Sequence, residues 1–388
     1  MPWQEQTVMS LRIEFVSLVS QGGISFSEAC RRFGVSRPTG YRWWSRYQAE
    51  GKAGLANQSS RPHHSPGQTT TAMEQAVITL RDEHPTWGGR KIRAVLGRQG
   101  LTGVPSASTI TAILRRHDRL GQDSVHARGP WQRFVYAAPN DLWQLDFKGH
   151  FPLATGRCHP LTVLDDCSRY VLGLFACANE QDLTVQAHLT SLFRRYGLPW
   201  RMLADNGSPW GSTMPNQPLT RLSVWLLRLG IEVRHGRFYH PQTQGKVERV
   251  HRTIKADLLQ HQRYPSLDAA QSAFTDWRQT YNQLRPHDAL DLDVPASHYQ
   301  SSVRSFPDPL PAVDYGEGEL VRTVRTHGEI SYRGQRYLIS LALRGQPIAL
   351  RPTLVDGVFD IHFAQYRMGV LNLRTRRFTM QYGVHSKV

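Results

Sequence analysis

The stretch YHPQTQGKVERVHRTIK, residues 239–255, decides how the rest of this chain is read. From Gly245 onward it has helix periodicity. Val247, Val250, Ile254 and Leu258 recur at i, i+3, i+7 and i+11, an apolar stripe that must face a core. Glu248, Arg252 and Lys255 fall together on another face, at i, i+4 and i+7. Alone, one acid beside two cations is an ordinary solvated face. Two further acids change its meaning: Asp146 in WQLDFKG and Asp205 in MLADNGSPW. Gln144, Asp146 and Lys148 alternate onto one face of a strand-like run, while Trp143, Leu145 and Phe147 anchor the other. Asp205 closes a second short strand at the end where open α/β sheets place ligands, and Asn206–Gly207 can turn the chain sharply. Three acids brought to one point would suit two magnesium ions working on a nucleic-acid backbone.

The overall charge agrees. The chain has 388 residues, with 47 Lys and Arg against 31 Asp and Glu, a net charge of +16 that favours a polyanionic partner. At roughly 150 residues per domain, two or three domains are expected. No apolar run approaches the ~18 residues of a membrane helix. MPWQEQTVMS does not read as a secretory leader, so a cytoplasmic, nucleoid-associated protein is expected. Cys30, Cys158, Cys167 and Cys177 form no C-x-x-C pair, which argues against a zinc ribbon or a redox motif. No G-x-x-x-x-G-K-[ST] loop is present, so no nucleotide cofactor is expected.

Working outward, DLWQLDFKGHF, CHPLTVLDDCS and YVLGLFACA read as three strands. A helix follows over QDLTVQAHLTSLFRRYG, then the strand WRMLAD, a helix over PLTRLSVWLLRLG, the strand IEVRHG and the Glu248 helix. The order βββαβαβα is that of a ribonuclease-H-like α/β core with a mixed five-stranded sheet. Asp165 and Asp166 are rival acids, only one of which could point inward. A turn or an ion pair with Arg169 is the expectation for them, with Asp166 a second-rank candidate near the site.

The N-terminal part reads as helices. Ser25 and Glu28 form an S-x-x-E capping box, Gly34 supplies a turn, and Ser36 caps a helix with Pro38 in its first turn. This is a helix-turn-helix, whose second helix enters the major groove. Arg37, Thr39, Gly40 and Arg42 are expected toward DNA, with Tyr41 and Trp44 packed inward. The reading assigns 1–51 to this unit, 52–70 to a linker and 71–120 to a second helix-turn-helix-like unit. The catalytic core with a helical extension takes 136–300, and a small C-terminal β-barrel takes 315–378.

Residues 140–260 resemble the integrase catalytic core of DDE transposases and retroviral integrases, and the chain as a whole resembles bacterial insertion-sequence transposases. The likeness rests on LWQLDF, ADNGSPW and H-P-Q-T-x-G-x-x-E-R, with YNQLRPHDAL and VPASHY downstream. It implies that Asp146, Asp205 and Glu248 are catalytic and hold two Mg²⁺, with Mn²⁺ able to substitute. It also implies that Lys246, Arg249 and Arg252 contact DNA while His240 and Gln244 position a DNA end; Lys255, on the same helix face as Arg252, is expected at a phosphate beside it. The segment between Asp205 and Glu248 is longer than is common in the family, with SPWGSTMPNQPLT the site of the extra loop, and Phe238 stands where proline is common. Neither departure removes a carboxylate. The expected function is a DNA transposase. It would bind double-stranded DNA at an element's terminal inverted repeats and at the target, cleave and join strands, and work as a homo-multimer. The alternatives are a catalytically silent helix-turn-helix regulator derived from such an enzyme, and a ribonuclease H or junction nuclease on the same fold.

Overall fold

The structure, a computed structural model, describes residues 7–58, 67–120, 136–212, 214, 217–235, 245–260 and 262–382. The chain divides into two compact units, Met1–Gln68 and Thr69–Val388.

The first unit holds α1 (Val8–Ser20), α2 (Phe26–Arg32) and α3 (Arg37–Glu50). Ser25 and Ser36 cap α2 and α3, accepting from the N–H groups of Glu28 at 3.3 Å and Thr39 at 3.4 Å. Only half of the expected capping box forms, because the Glu28 carboxylate pairs with Arg31 at 2.6 Å. Phe15, Val16, Ala29, Cys30 and Leu55 make the core. Leu55 and its neighbours, read from sequence as linker, thus belong to this fold, and Arg12 donates to the Leu55 carbonyl at 2.8 Å. The expectation for α3 is corrected at two positions. Gly40 faces inward, where a Cβ would lie 2.6 Å from Cys30 Sγ. Tyr41 faces outward, 55% exposed, and stacks on Phe26 with ring centroids 4.1 Å apart. The inward face runs through Gly40, Trp43, Trp44 and Tyr47, at i, i+3, i+4 and i+7, and rotates Tyr41 out of the core.

The second unit opens with α4 (Thr71–Glu83), α5 (Gly89–Arg98) and α6 (Ala107–Arg116) around Val77, Trp87, Ile92, Ile110 and Leu114. At Gly89 a Cβ would meet the Ala107 carbonyl at 2.4 Å, so glycine lets α5 and α6 touch.

The central sheet follows the expected order with one addition. β1 (Trp143–Phe147), the two-residue β2 (Phe151–Pro152), β3 (Arg157–Asp165) and β4 (Val171–Cys177) come first. Then come α7 (Asp182–Tyr196), β5 (Arg201–Ala204), α8 (Arg221–Arg228), β6 (Glu232–His235) and α9 (Gly245–Ile254). Across the sheet the strands run β4, β3, β1, β5, β6, with β2 also on β3. The pairs β3–β4 and β1–β3 are antiparallel; β1–β5 and β5–β6 are parallel. Strand alternation divides two cores. Trp143, Leu145, Leu161, Val163 and Met202 pack with α7 and α8. Leu164, Val171 and Leu174 pack with α9 and with α10 (Leu267–Gln283). A short helix, α11 (Pro295–His298), follows.

The C-terminal part contains β7 (Leu320–Thr323), β8 (Glu329–Tyr332), β9 (Gln335–Leu338), β10 (Pro347–Pro352), β11 (Val358–Phe363), β12 (Tyr366–Asn372) and β13 (Arg377–Met380). A small β-barrel was the expectation; the described strands form a five-stranded antiparallel sheet, β13-β12-β11-β10-β7, and a separate hairpin, β8–β9, with no closed barrel among them. The hairpin packs over the sheet, with Tyr332 edge-on to Phe359 at 5.4 Å. This part is continuous with the central sheet: Ile330, Tyr337, Ile348, Phe363 and Leu371 share one apolar cluster with Trp143, Phe193 and Leu227. Arg304, on the connecting segment, donates to the carbonyls of Pro199, Leu229 and Gly230.

Candidate active site

Asp146 lies on β1, between β3 and β5. Its β1 neighbours Trp143 and Leu145 face the α7–α8 side, so alternation turns Gln144 and Asp146 toward α9. The same parity holds on β5. Met202 and Ala204 face α7–α8, and Asp205, the next residue after β5, continues on the α9 side. Asp205 Oδ1 accepts the Gly207 N–H at 3.1 Å, and its carbonyl lies 2.8 Å from His235 Nδ1. α9 is seated by Val247, Val250 and Ile254, all buried, which leaves Glu248, Arg249 and Arg252 exposed, as is Lys255 just beyond its end.

The three acids share one electrostatic neighbourhood. Burial, then the charges of Asp205, Glu248 and Glu180, push the Asp146 carboxyl up from 3.8 to about 7 against a hydrogen bond from the Phe147 N–H. Asp205 is raised by burial and by Glu180, against the Gly207 N–H and His235. Among the described residues no group of three or more His, Cys, Asp or Glu side chains is disposed to hold a metal ion together. The donor chemistry nevertheless suits a hard divalent cation, since all three groups offer oxygen. A cation among them would also relieve the repulsion that raises Asp146.

Two residues the sequence reading passed over stand here. His251, buried, places Nδ1 3.8 Å from Asp146 Oδ2 and Nε2 3.1 Å from the hydroxyl of Thr162, the β3 partner of Asp146. Burial and Lys148 push its pKa down to about 3, so the ring is neutral. Its signal was present: Val247, Val250, His251 and Ile254 complete an i, i+3, i+4, i+7 stripe, and a histidine there heads into the core. Glu180, in the loop after β4, lies 2.7 Å from His159 Nδ1. Nothing in its local sequence marks it.

The expected turn forms at Asp165 and Asp166, but the expectation that only one of them points inward is corrected, because both are fully buried. Asp165 closes the β3–β4 turn, accepting from the Asn140 N–H at 2.7 Å and from the Ser168 N–H and hydroxyl at 2.8 and 2.6 Å. Asp166 Oδ1 lies 2.5 Å from Lys246 Nζ, and Arg169 donates to the Asp166 carbonyl. Of the residues expected at DNA, Arg249, Arg252 and Lys255 are exposed, whereas Lys246 is turned inward with 17% of its side chain exposed. His240 and Gln244 lie outside the described residues. In the first unit Arg37 and Arg42 are exposed, and the Thr39 hydroxyl is 2.9 Å from Ser36 Oγ.

Comparison with known families matches residues 11–63 to a helix-turn-helix domain and 39–114 to a homeodomain-like domain. Residues 137–241 and 229–295 match integrase core domains, and 319–379 the C-terminal domain of IS481 family transposases. The chain is similar to a 31.7 kDa protein of insertion element IS407 from Burkholderia multivorans, 23% identical over 70% of this chain and 90% of that one. It is also similar to a 39.2 kDa protein of insertion element IS476 from Xanthomonas euvesicatoria, 24% identical over 65% and 71%. Among solved structures, the HTLV-2 integrase catalytic core domain in complex with magnesium is a distant likeness, 21% identical over 42% of this chain and 99% of that one at a TM-score of 0.32. With helix-turn-helix segments in front, integrase core domains in the middle and an IS481-type domain behind, the chain is similar along most of its length to bacterial insertion-sequence transposases.

Proposed function

We propose that this protein is a DNA transposase. It would bind the terminal inverted repeats of a mobile element, cut the phosphodiester at each end, and join the freed 3′-hydroxyl to target DNA. The shared acidic field around Asp146, fed by residues far apart in the chain, supports this reading most. Asp146, Asp205 and Glu248 would hold the metal, and magnesium, when bound, supplies the charge that activates the attacking oxygen and stabilises the leaving one. The protein's own part is positional. β1 and β5 are adjacent parallel strands, so the two aspartates keep a fixed spacing. The apolar stripe of α9 sets Glu248 and directs Arg249, Arg252 and Lys255 outward, where they would hold phosphates. His251, tied to Thr162 and neutral, limits where the Asp146 carboxylate can swing.

The domain assignment made from sequence is part of the proposal, with the first unit extended through Leu55. The helix-turn-helix would read element ends through Arg37, Thr39 and Arg42, with His240 and Gln244 positioning the end at the core. The C-terminal sheet would add nonspecific DNA contact. Joining two ends requires more than one copy of the chain. Among the described residues no helix is long and apolar enough to cross a membrane, and action on cellular DNA would place the protein at the nucleoid.

The test is Mg²⁺-dependent cleavage and joining of duplexes copied from the DNA flanking the protein's own gene, with Asp205→Asn alongside. Joined products from wild type alone would support the reading. Binding without cutting by either protein, in Mg²⁺ or Mn²⁺, would favour a silent regulator.

A further inference from the structure

One buried carboxylate ties together the two segments that carry Asp146 and Glu248. Asp166 follows β3 directly, and its backbone N–H donates to the Leu142 carbonyl at 2.9 Å. Its side chain is fully shielded and takes donors from three directions. Gln144 Nε2 donates to Oδ1 at 2.7 Å, the Tyr136 N–H to Oδ2 at 3.0 Å, and Lys246 Nζ lies 2.5 Å from Oδ1. Gln144 stands two residues before Asp146 on the same face of β1. Lys246 stands two residues before Glu248 in the first turn of α9. A lysine stem ordinarily carries its ammonium out to water, and a phosphate contact would need that direction. Here the ammonium ends on a buried acid.

We propose that Asp166 and Lys246 are positioning residues whose ion pair fixes the first turn of α9 against β1 and the end of β3. The rotation of the helix that carries Glu248 is thereby set relative to Asp146. Further along α9, His251 meets the Thr162 hydroxyl at 3.1 Å, and the other ties of the helix to the sheet are apolar and non-directional; at the first turn, where Glu248 stands, the ion pair is a directional contact. A directional buried pair supplies that specificity. Lys246 is then part of the scaffold instead of a DNA contact. The assignment rests on the transposase reading of Asp146 and Glu248, and its test has readouts that do not depend on cleavage.

The variants are Asp166→Asn, Lys246→Met and the double variant, made in the full chain. Asparagine removes the charge of the pair and leaves a single side-chain oxygen for the donors of Gln144, Tyr136 and Lys246. Hydrogen exchange at the amides of Arg249 to Arg252 should speed up about tenfold in each single variant and no further in the double, since one interaction is removed in all three. Affinity for a mixed-sequence duplex should keep its salt dependence, while cleavage by the wild type's own assay falls. Two results would overturn the proposal. One is unchanged exchange in both single variants. The other is normal exchange in Lys246→Met together with a salt slope reduced by about 1, the mark of a lost phosphate contact. If Lys246→Met fails to fold, Lys246→Gln decides: it keeps a donor for Asp166, so a reduced salt slope there would refute the scaffold role and an unchanged slope would support it. A wild type that cuts no duplex in Mg²⁺ or Mn²⁺ would sink the transposase reading alone, because exchange and salt dependence still report on the pair.

Discussion

Replacing Asp146 by asparagine should stabilise the protein while disabling it. The Asp146 carboxyl stands at about 7 instead of 3.8, with burial the largest cause and the neighbouring acids next. Each unit of difference is worth about 1.4 kcal/mol. The native state therefore holds a proton over a window in which the unfolded chain has lost it. Stability falls as pH rises from about 4 to about 7, and above that the ionised carboxylate opposes folding by roughly 2–4 kcal/mol. The lower figure allows for the water that reaches a side chain 22% exposed. An asparagine does not titrate. In chelator, the stability of Asp146→Asn minus that of wild type should climb by up to about 1.4 kcal/mol per pH unit between pH 5 and 7, then level off. Urea unfolding followed by tryptophan fluorescence measures it, with Trp143 on the same strand and Trp210 6.1 Å from Phe147 as reporters. Added Mg²⁺ should stabilise wild type and leave the variant where it was. A difference that is flat with pH, or a variant less stable than wild type at pH 7.5, would show that Asp146 does not sit in an unfavourable acidic field.

Glu248→Gln should leave the fold and the DNA affinity near wild type, because the residue is exposed, yet abolish strand cleavage; cutting at the wild-type rate would remove Glu248 from the site. Gly40→Val should destabilise the first unit by about 1–3 kcal/mol, since the new side chain has to displace Cys30 and Phe15, and calorimetry showing an unchanged transition would contradict the close helix crossing. Arg304→Met should cost roughly 2–4 kcal/mol by orphaning three carbonyls, and a urea midpoint within error of wild type would show that the connecting segment is not held there.

The alternation of Trp143, Leu145 and Phe147 with Gln144 and Asp146, the serine caps of α2 and α3, and the apolar stripe of α9 are local patterns, and the chain order of the central strands and helices could be read from them. What escaped was set by partners distant in sequence. The inward face of α3 depends on where Cys30 and Phe15 lie, so Gly40 and Tyr41 were assigned the wrong sides. Asp165 and Asp166 were read as competitors for one inward place, because the backbone donors at Asn140 and Tyr136 that let both be buried come from another segment. Glu180 enters the acidic field from a loop with no motif of its own. The packing of the C-terminal strands into one apolar cluster with the α7–α8 side of the central sheet has no signal in their local sequence.

That joint core has an evolutionary edge. The Pro-rich segment near residue 310 separates core from tail along the chain, where a crossover would look harmless in sequence. A crossover there would graft a tail whose Phe363 and Leu371 must fit one apolar cluster with a foreign Phe193 and Leu227. Hybrids between diverged relatives should therefore survive when the exchange carries 137–380 as a block, and fail when it parts the tail from the sheet it completes.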